Sequence, residues 1–227
     1  LISDEIIKTL VLILTIPIHG LTAITGVITN LLSMVILSRL GLKSSVSVGG
    51  FALSLTDFIV TSVHVAILFC YILNYAYPES EVDMLVLRIF ALGNVRYASF
   101  YISMWITTVI SVERCFCVVF PFKVKQFFTL SRYVFAIVVI YCVYISLILP
   151  VYILVKTDWI DLMSIENNTK SVKRRILTVV FSEETHNLEH ILNTIGGVAL
   201  SVTSQTVLIV CTVGLTYTLN QSSEIRR

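Results

Sequence analysis

Ionisable side chains set within apolar stretches are the residues of this sequence best suited to chemistry. Asp57 stands midway along one such stretch, and His64 follows two helical turns later on the same face. A carboxylate facing lipid costs on the order of 2.5–3.5 kcal/mol, so Asp57 is expected to point into a helix bundle. There it is either an ion or proton site, with His64 as a relay partner, or a hydrogen-bonded polar contact between helices.

Two arginines bound the next apolar stretch. Arg96 and Arg114 are five helical turns apart, so they share one stripe of a helix at a separation of about 27 Å. Phe100, Ser103 and Thr107 lie on or near that stripe, and the two hydroxyl groups favour a stripe that lines the bundle interior. Arg96 then either reaches to the membrane surface or lies in an outward-opening cavity and pairs with an anionic group.

Composition indicates the elements that hold these residues. The chain of 227 residues is 56% hydrophobic and 13% charged, with a mean hydropathy of +0.91, which leaves too little polar surface for a soluble globule. Three runs without Asp, Glu, Lys or Arg, 9–38, 133–155 and 190–223, each exceed the roughly 20 residues that a membrane-crossing helix needs. Two further spans contain the ionisable residues described above.

We therefore predict an all-α membrane protein, a transmembrane helix bundle that forms one domain over residues 1–227. The predicted helices cover about 8–39, 45–75, 84–119, 132–156 and 187–220, and the long loop covers 157–186. The start at Leu1 and the odd number of helices predict a fragment of a longer protein. No basic cluster with interleaved aromatic residues indicates nucleic-acid binding.

Charges in the short loops predict the orientation in the membrane. Lysine and arginine residues in the connections 39–43 and 114–132 favour a cytoplasmic location for both loops. The N-terminus and the 157–186 loop then lie outside, in a multi-pass protein of the plasma membrane. Asn167 opens the sequence Asn167-Asn168-Thr169 in that outer loop and is a candidate glycosylation site.

A charged pair at the end of the third span carries a family resemblance. Glu113-Arg114-Cys115, followed by Pro121, resembles the Asp/Glu-Arg-Tyr signature and second intracellular loop of rhodopsin-like G-protein-coupled receptors. Other positions resemble that family in the same order along the chain: Gly26 and Asn30 in the first span, Leu53 to Asp57 in the second, Ser103 in the third and Pro150 in the fourth. Together they cover essentially the whole chain.

The resemblance implies five helices of a seven-helix receptor that binds an extracellular ligand and activates a heterotrimeric G protein. Glu113 would hold Arg114 at rest and release it towards the G protein when the bundle opens. Asn30, Asp57 and Ser103 would form the interior polar site, which holds a sodium ion in that family. No other cofactor or metal is expected.

The ligand pocket would include Arg96 and Phe100 by the same resemblance. Arg96 occupies the position at which amine receptors carry an aspartate, so the reversed sign predicts a small-molecule or peptide ligand with a carboxylate or other anionic group. Glu-Arg-Cys-x-Cys and the terminal Leu219 to Ser223 resemble chemosensory receptors of marine snails. Detection of an environmental chemical is therefore the expected function, with an invertebrate peptide receptor as the alternative.

The sequence departs from the family pattern on the outer side. Ile89 stands where a disulfide-bonded cysteine is usual, and residues 156–189 contain no cysteine. The fourth span lacks its usual tryptophan, the fifth lacks its proline, and Gly196-Gly197 loosens the fifth helix instead. The sixth and seventh helices are not present in the sequence.

Two other classes of protein compete with a receptor. An ion- or proton-coupled transporter built around Asp57 and His64 is the alternative, although paired internal repeats are not visible. An enzyme is not expected, because His-Glu-x-x-His, Gly-x-Ser-x-Gly and paired intramembrane carboxylates are missing.

Overall fold

Long apolar segments form the helices of the protein, and breaks in hydropathy separate them. The structure is a computed structural model that describes residues 16–77, 80–82, 84–166, 170–180 and 182–225. Its α-helices are α1 Ile16–Leu40, α2 Ser45–Ala76, α3 Met84–Leu87, α4 Asn94–Val119, α5 Val124–Phe127, α6 Leu130–Leu154, α7 Glu183–Leu192 and α8 Leu200–Ile225. π-helical turns over Arg88–Gly93 and Asn193–Ala199 join α3 to α4 and α7 to α8.

Five helices of the described chain are long and apolar enough to cross a membrane, as predicted. These spans are Ile16–Leu40, Ser45–Ala76, Phe90–Val119, Leu130–Leu154 and Thr185–Gln221. The first part of the predicted first helix, residues 8–15, lies outside the described residues. Large apolar side chains along the spans are exposed on the outer surface of the bundle, as lipid contact requires.

Local signals at Gly41 and Ser44 reverse the chain between the first two spans. Gly41 has φ of +89°, which L side chains rarely adopt, and its N–H donates to the Ser38 carbonyl at 3.2 Å. Ser44 then caps α2, since its Oγ accepts from the Ser47 N–H at 3.2 Å. The two spans consequently run antiparallel and pack against each other.

The core lies around α4, which packs against α2, α6 and α8. Ile106 is fully buried and Ile102 is 5% exposed, and they join Ala52 on α2 and Ile137 on α6 in one apolar cluster. At the contact between the first two spans, a Cβ on Gly26 would lie 2.5 Å from Thr61 Cγ2. The glycine thus permits the close helix approach that its position in the first span predicts.

A β-hairpin occupies most of the predicted 157–186 loop, in a fold that is otherwise helical as predicted. Strands β1, Lys156–Glu166, and β2, Lys170–Val180, pair antiparallel with Trp159 opposite Leu177. Val179 and Val180, which are β-branched, favour a strand at the end of β2. The candidate glycosylation residue Asn167 lies outside the described residues.

A backbone hydrogen bond holds the hairpin against the connection between the second and third spans, and a hydroxyl contact holds the fourth span against the start of the third. The Leu177 N–H donates to the Glu81 carbonyl at 2.8 Å, and the Tyr152 hydroxyl donates to the Ala91 carbonyl at 2.7 Å. All five cysteines are free. The hairpin is therefore tied to the start of the third span without the disulfide that the family pattern would provide. We call this side of the bundle the hairpin end. The opposite side, where α4 ends at Val119, is the Glu113 end.

Candidate functional site

The interior polar contact lies between the second and third spans. Ser103 Oγ donates to Asp57 Oδ1 at 2.7 Å, and both residues are half-buried. Thr107 Oγ1 donates to the Ser103 carbonyl at 2.9 Å, while Thr61 Oγ1 donates to the Asp57 carbonyl at 2.8 Å. The structure thus brings Asp57 and Ser103 together, with the carboxylate turned into the bundle.

Asn30, the third residue predicted at this site, does not join them. Its side chain is half-buried on the first span and makes no hydrogen bond to Asp57 or Ser103 among the described residues. Asp57 and Ser103 offer oxygen atoms, which are the donors that a hard cation prefers. Asp57 and Ser103 are therefore the residues of the expected sodium site that the structure brings together, and Asn30 does not contribute to it in this arrangement.

The His64 side chain points towards the first span and not towards Asp57, the partner expected in a proton relay. Its Nδ1 lies 2.9 Å from the Val60 carbonyl, so Nδ1 is the protonated nitrogen that donates. The His64 and His19 rings have centroids 6.5 Å apart. In the described part of the chain no hydrogen bond joins Asp57 to His64, and a direct proton relay between the two is not formed.

Glu113 and Arg114 point in different directions, so the expected resting contact between them is not present. Glu113 is 6% exposed and accepts a hydrogen bond from Ser45 Oγ at the start of α2. Arg114 is exposed, and no ion pair joins it to Glu113 within the described ranges. Successive residues on a helix are turned by about 100°, so one side chain faces the bundle while the next faces outward.

Tyr133 and Gly49 complete the Glu113 end, and neither residue was predicted there from the sequence. Tyr133 is 2% exposed, and a Cβ at Gly49 would overlap its hydroxyl oxygen. That hydroxyl has no hydrogen-bond partner among the described residues. The available signal was the Gly49-Gly50 pair one turn after the Ser44 cap, which marks a close approach of another helix.

The predicted ligand residues Arg96 and Phe100 lie away from the cavity at the hairpin end. The Arg96 guanidinium carbon stacks 4.8 Å above the Tyr97 ring, and Phe100 is 54% exposed. The buried face of α4 instead carries Ala98, Ser99 and Ile102. The predicted interior stripe therefore holds in the middle of the span, where Ser103 contacts Asp57, but not at Phe100, because packing of apolar residues decides which side of the helix is buried there.

A cavity of about 50 Å³ opens between the third, fourth and fifth spans. It is lined by polar and aromatic residues with small apolar neighbours: Asn94, Tyr97, Ala98, Tyr101, Tyr144, Leu147, Ile148, Val151, Leu192, Asn193, Gly196 and Gly197. Tyr144 is 4% exposed and stacks on Tyr101 at 5.9 Å, and its hydroxyl lies near the Trp105 indole but has no well-formed hydrogen bond among the described residues. A buried donor beside a cavity is a group that a ligand can satisfy.

The glycine pair of the fifth span explains how this cavity forms. Gly196 and Gly197 lie in the π-helical turn Asn193–Ala199, which agrees with a loosened fifth helix. A Cβ on Gly197 would lie 3.0 Å from the Tyr101 hydroxyl, so the glycine leaves room for that ring. The second π-helical turn, Arg88–Gly93, directly precedes Asn94 on the other wall. π-helical turns are frequent at functional sites.

Five apolar helices, an interior carboxylate and a cavity near one end together define a multi-pass helical membrane protein. A profile of the family described as "Serpentine type 7TM GPCR chemoreceptor Srx" matches residues 21–159, which is more than half of the chain. The chain belongs to this family of chemoreceptors, which is a receptor family and not an enzyme family. No curated protein matches the chain at a significant level.

Proposed function

We propose that the protein is a chemosensory receptor of rhodopsin-like organisation that binds an extracellular chemical and activates a heterotrimeric G protein. The Glu113 end would face the cytoplasm, and the hairpin end and N-terminus would lie outside the plasma membrane, as the loop charges predict. The observation that carries this proposal is the pair of neighbours Glu113, buried against α2, and Arg114, exposed at the end of the bundle. The resemblance to marine-snail receptors agrees with chemoreception and is part of the proposal.

The switch would act through Ser45 as well as through the two charged residues. Glu113 accepts from Ser45 Oγ, so the ends of the second and third spans are connected by a hydrogen bond to a charged group. Moving the third span would break that contact and shift Arg114. An exposed arginine at this position can donate several hydrogen bonds to carboxylates or carbonyls of a G protein. The bistable element is thus the Ser45–Glu113 contact.

The ligand would enter the cavity between the third, fourth and fifth spans. Its volume of about 50 Å³, its apolar walls and the buried Tyr144 hydroxyl suit one apolar group of a ligand that carries a hydrogen-bond acceptor, with the rest of the ligand outside the cavity. Arg96 would attract an anionic group at the edge of this end of the bundle. A sodium ion held by Asp57 and Ser103 would neutralise the interior carboxylate, and no step of the switch depends on it.

Arg114→Ala in the full-length protein is the test of the receptor function. We expect loss of most receptor-stimulated nucleotide exchange on a reconstituted G protein, measured with a fluorescent GTP analogue. Arg39→Ala is the matched control, because Arg39 is an exposed arginine at the same end of the bundle. If Arg114→Ala leaves exchange unchanged while the protein carries an ion or solute flux, the transporter alternative is correct.

Ser45→Ala tests the switch itself. Loss of the hydrogen bond to Glu113 should raise ligand-independent nucleotide exchange, since the contact that holds the second and third spans together is weakened. Ser47→Ala is a suitable control, because its hydroxyl contacts only the Ser44 side chain among the described residues. Unchanged basal exchange in Ser45→Ala would remove the Ser45–Glu113 contact from the mechanism.

Arg96→Ala and Tyr144→Phe separate the two ideas about the ligand. If the ligand is anionic, Arg96→Ala should weaken responses to acidic compounds more than responses to neutral compounds. If the cavity binds the ligand, Tyr144→Phe should raise the half-maximal concentration of compounds that carry a hydrogen-bond acceptor. The expected rise is roughly 5- to 150-fold, which corresponds to about 1–3 kcal/mol for the lost hydrogen bond. Equal effects of Arg96→Ala on acidic and neutral compounds would contradict the anionic ligand.

A further inference from the structure

A second cavity, which is shallow and open to the surface, lies along the exposed side of helix α7 and the π-helical turn that follows it. It has a volume of about 350 Å³ and is lined by His186, His190, Asn193, Thr194 and Val198. Both histidine side chains are exposed. Neither takes part in the switch or the ligand cavity described above, although Asn193 lines both cavities.

The two histidines stand one helical turn apart on α7. Residues at i and i+4 of a helix share a face, with Cβ atoms about 5–6 Å apart. Helices use this spacing to present two imidazoles to one metal ion, at Zn–N distances of about 2.0–2.1 Å. The spacing is therefore chelating, and both rings border the same cavity.

The first turn of α7 is fixed by capping contacts, which hold His186 in place. The Thr185 N–H donates to Ser182 Oγ at 3.2 Å, and the two side-chain hydroxyls are 2.7 Å apart. The His186 N–H donates to the Ser182 carbonyl at 3.0 Å, and Thr185 is 1% exposed. At the other end of the pair, Thr194 Oγ1 donates to the His190 carbonyl at 2.8 Å. The backbone that carries both imidazoles is thus already ordered for chelation.

We propose that His186 and His190 form a two-histidine site for a divalent transition-metal ion, Zn²⁺ or Cu²⁺. Imidazole nitrogen is a preferred ligand of both ions. No cluster of three or more His, Cys, Asp or Glu side chains is found among the described residues, so water or an exogenous group would fill the remaining positions. The ion would lie beside the candidate ligand cavity, since Asn193 is common to both.

The other histidine pair of the described chain is less suitable and provides a control. The His19 and His64 rings are 6.5 Å apart and lie on two different helices, so their separation depends on helix packing and not on the fixed i, i+4 spacing of one helix. His64 Nδ1 is also engaged with the Val60 carbonyl. A metal bound at α7 should be insensitive to replacement of His19 and His64.

The experiment is Cu²⁺ binding to the full-length protein in lipid nanodiscs, followed by electron paramagnetic resonance and by isothermal titration. We expect nitrogen couplings from two imidazoles. Affinity should fall at least about tenfold in His186→Ala and in His190→Ala, because loss of even an outer-shell partner costs about 10–100-fold. The double variant His19→Ala/His64→Ala should bind as the wild type does. Circular dichroism would verify that each variant is folded.

A relocated histidine distinguishes chelation from nonspecific imidazole binding. The variant His190→Ala/Asn187→His keeps the number of histidines but places them at adjacent positions, which do not face each other on a helix. It should bind as weakly as His190→Ala. Wild-type affinity in this variant, coupling to a single nitrogen in the wild type, or loss of binding in the His19/His64 variant would overturn the proposal. None of these readouts depends on G-protein activation, so the site can fail or hold independently of the receptor function.

Discussion

The Glu113 end and the hairpin end of the bundle are built in different ways. At the Glu113 end, Glu113 and Tyr133 are 6% and 2% exposed, and they pack against the first turns of α2. At the hairpin end, two π-helical turns, a cavity and a strand pair separate the spans. Close packing favours a two-position switch, whereas separated spans leave space for a ligand.

This difference in packing indicates that the two ends of the bundle have different functions. Packed interiors have discrete arrangements and transmit small displacements, so the Glu113 end is suited to respond as a unit. The hairpin end contains a cavity and two π-helical turns, and regions with such interruptions in packing open locally at lower free-energy cost. If the two ends are energetically separate, substitutions that line the ligand cavity should have little effect on packing at the Glu113 end.

Gly49→Ala should have the largest effect on stability, because the added methyl group overlaps a neighbour in the packed Glu113 end. The new Cβ would overlap the Tyr133 hydroxyl, and the ring is too buried to swing aside. Overpacking of this kind costs about 1–3 kcal/mol, which exceeds the roughly 0.5–1 kcal/mol that alanine gains over glycine within a helix. We expect a lower midpoint of thermal unfolding, followed by circular dichroism in detergent.

Gly214→Ala is the matched control for this substitution. Its Cβ would lie 3.8 Å from Cys115 Sγ, an ordinary contact distance. The alanine should be neutral or slightly stabilising through helix propensity. If Gly49→Ala and Gly214→Ala behave alike, the Glu113 end is not tightly packed and the contrast between the two ends is lost.

Leu177→Pro should have a smaller effect that is confined to the hairpin end. Proline removes the N–H that donates to the Glu81 carbonyl, a hydrogen bond with a net contribution of about 1 kcal/mol. Amide exchange in the hairpin should accelerate roughly fivefold, measured by mass spectrometry, while exchange around Glu113 stays unchanged. Acceleration at both ends would show that they are coupled.

Val179→Pro controls for the presence of proline in the same strand. Val179 stands two residues from Leu177, so its N–H points to the same edge of β2, and it makes no backbone hydrogen bond to the preceding connection in the described residues. Equal acceleration in both variants would mean that the Leu177–Glu81 hydrogen bond does not hold the hairpin.

The five spans and the burial of Asp57 could be predicted from the sequence, since both follow from the cost of polar groups in lipid. The Asp57–Ser103 contact was expected only through family resemblance. The buried face of α4 was predicted only in part: Ser103 faces Asp57, but Phe100 and Arg114 of the same predicted stripe are exposed. A helix with apolar residues on most faces carries a weak signal for its buried side, so contacts with other helices decide it.

The hairpin and the cavity could not be predicted for a different reason. Both depend on partners distant in sequence, such as Leu177 with Glu81 and Gly197 with Tyr101. Local propensity around Val179 and Val180 indicates a strand but not its pairing. The Gly196-Gly197 pair indicated a loosened helix, but only the structure shows that the Tyr101 side chain occupies the space beside Gly197.

Ser204→Ala should have the smallest effect, and it tests whether the two ends are joined through the middle of the bundle. The Thr108 and Ser204 hydroxyls are 2.6 Å apart and connect α4 to α8, with Ser204 fully buried. Thr108 also donates to the Met104 carbonyl at 2.9 Å, so Ser204 is the donor between the two hydroxyls and Thr108 stays satisfied in the variant. Interhelical hydrogen bonds in membranes contribute about 0.6 kcal/mol on average, and a change of that size in unfolding free energy is expected.

Ser146→Ala, which removes an exposed hydroxyl bonded only to Val143 within its own helix, should leave the unfolding free energy unchanged. A much larger cost for Ser204→Ala, accompanied by altered basal signalling, would mean that the third and fifth spans move as one body and that ligand binding at the hairpin end reaches Glu113 through this contact.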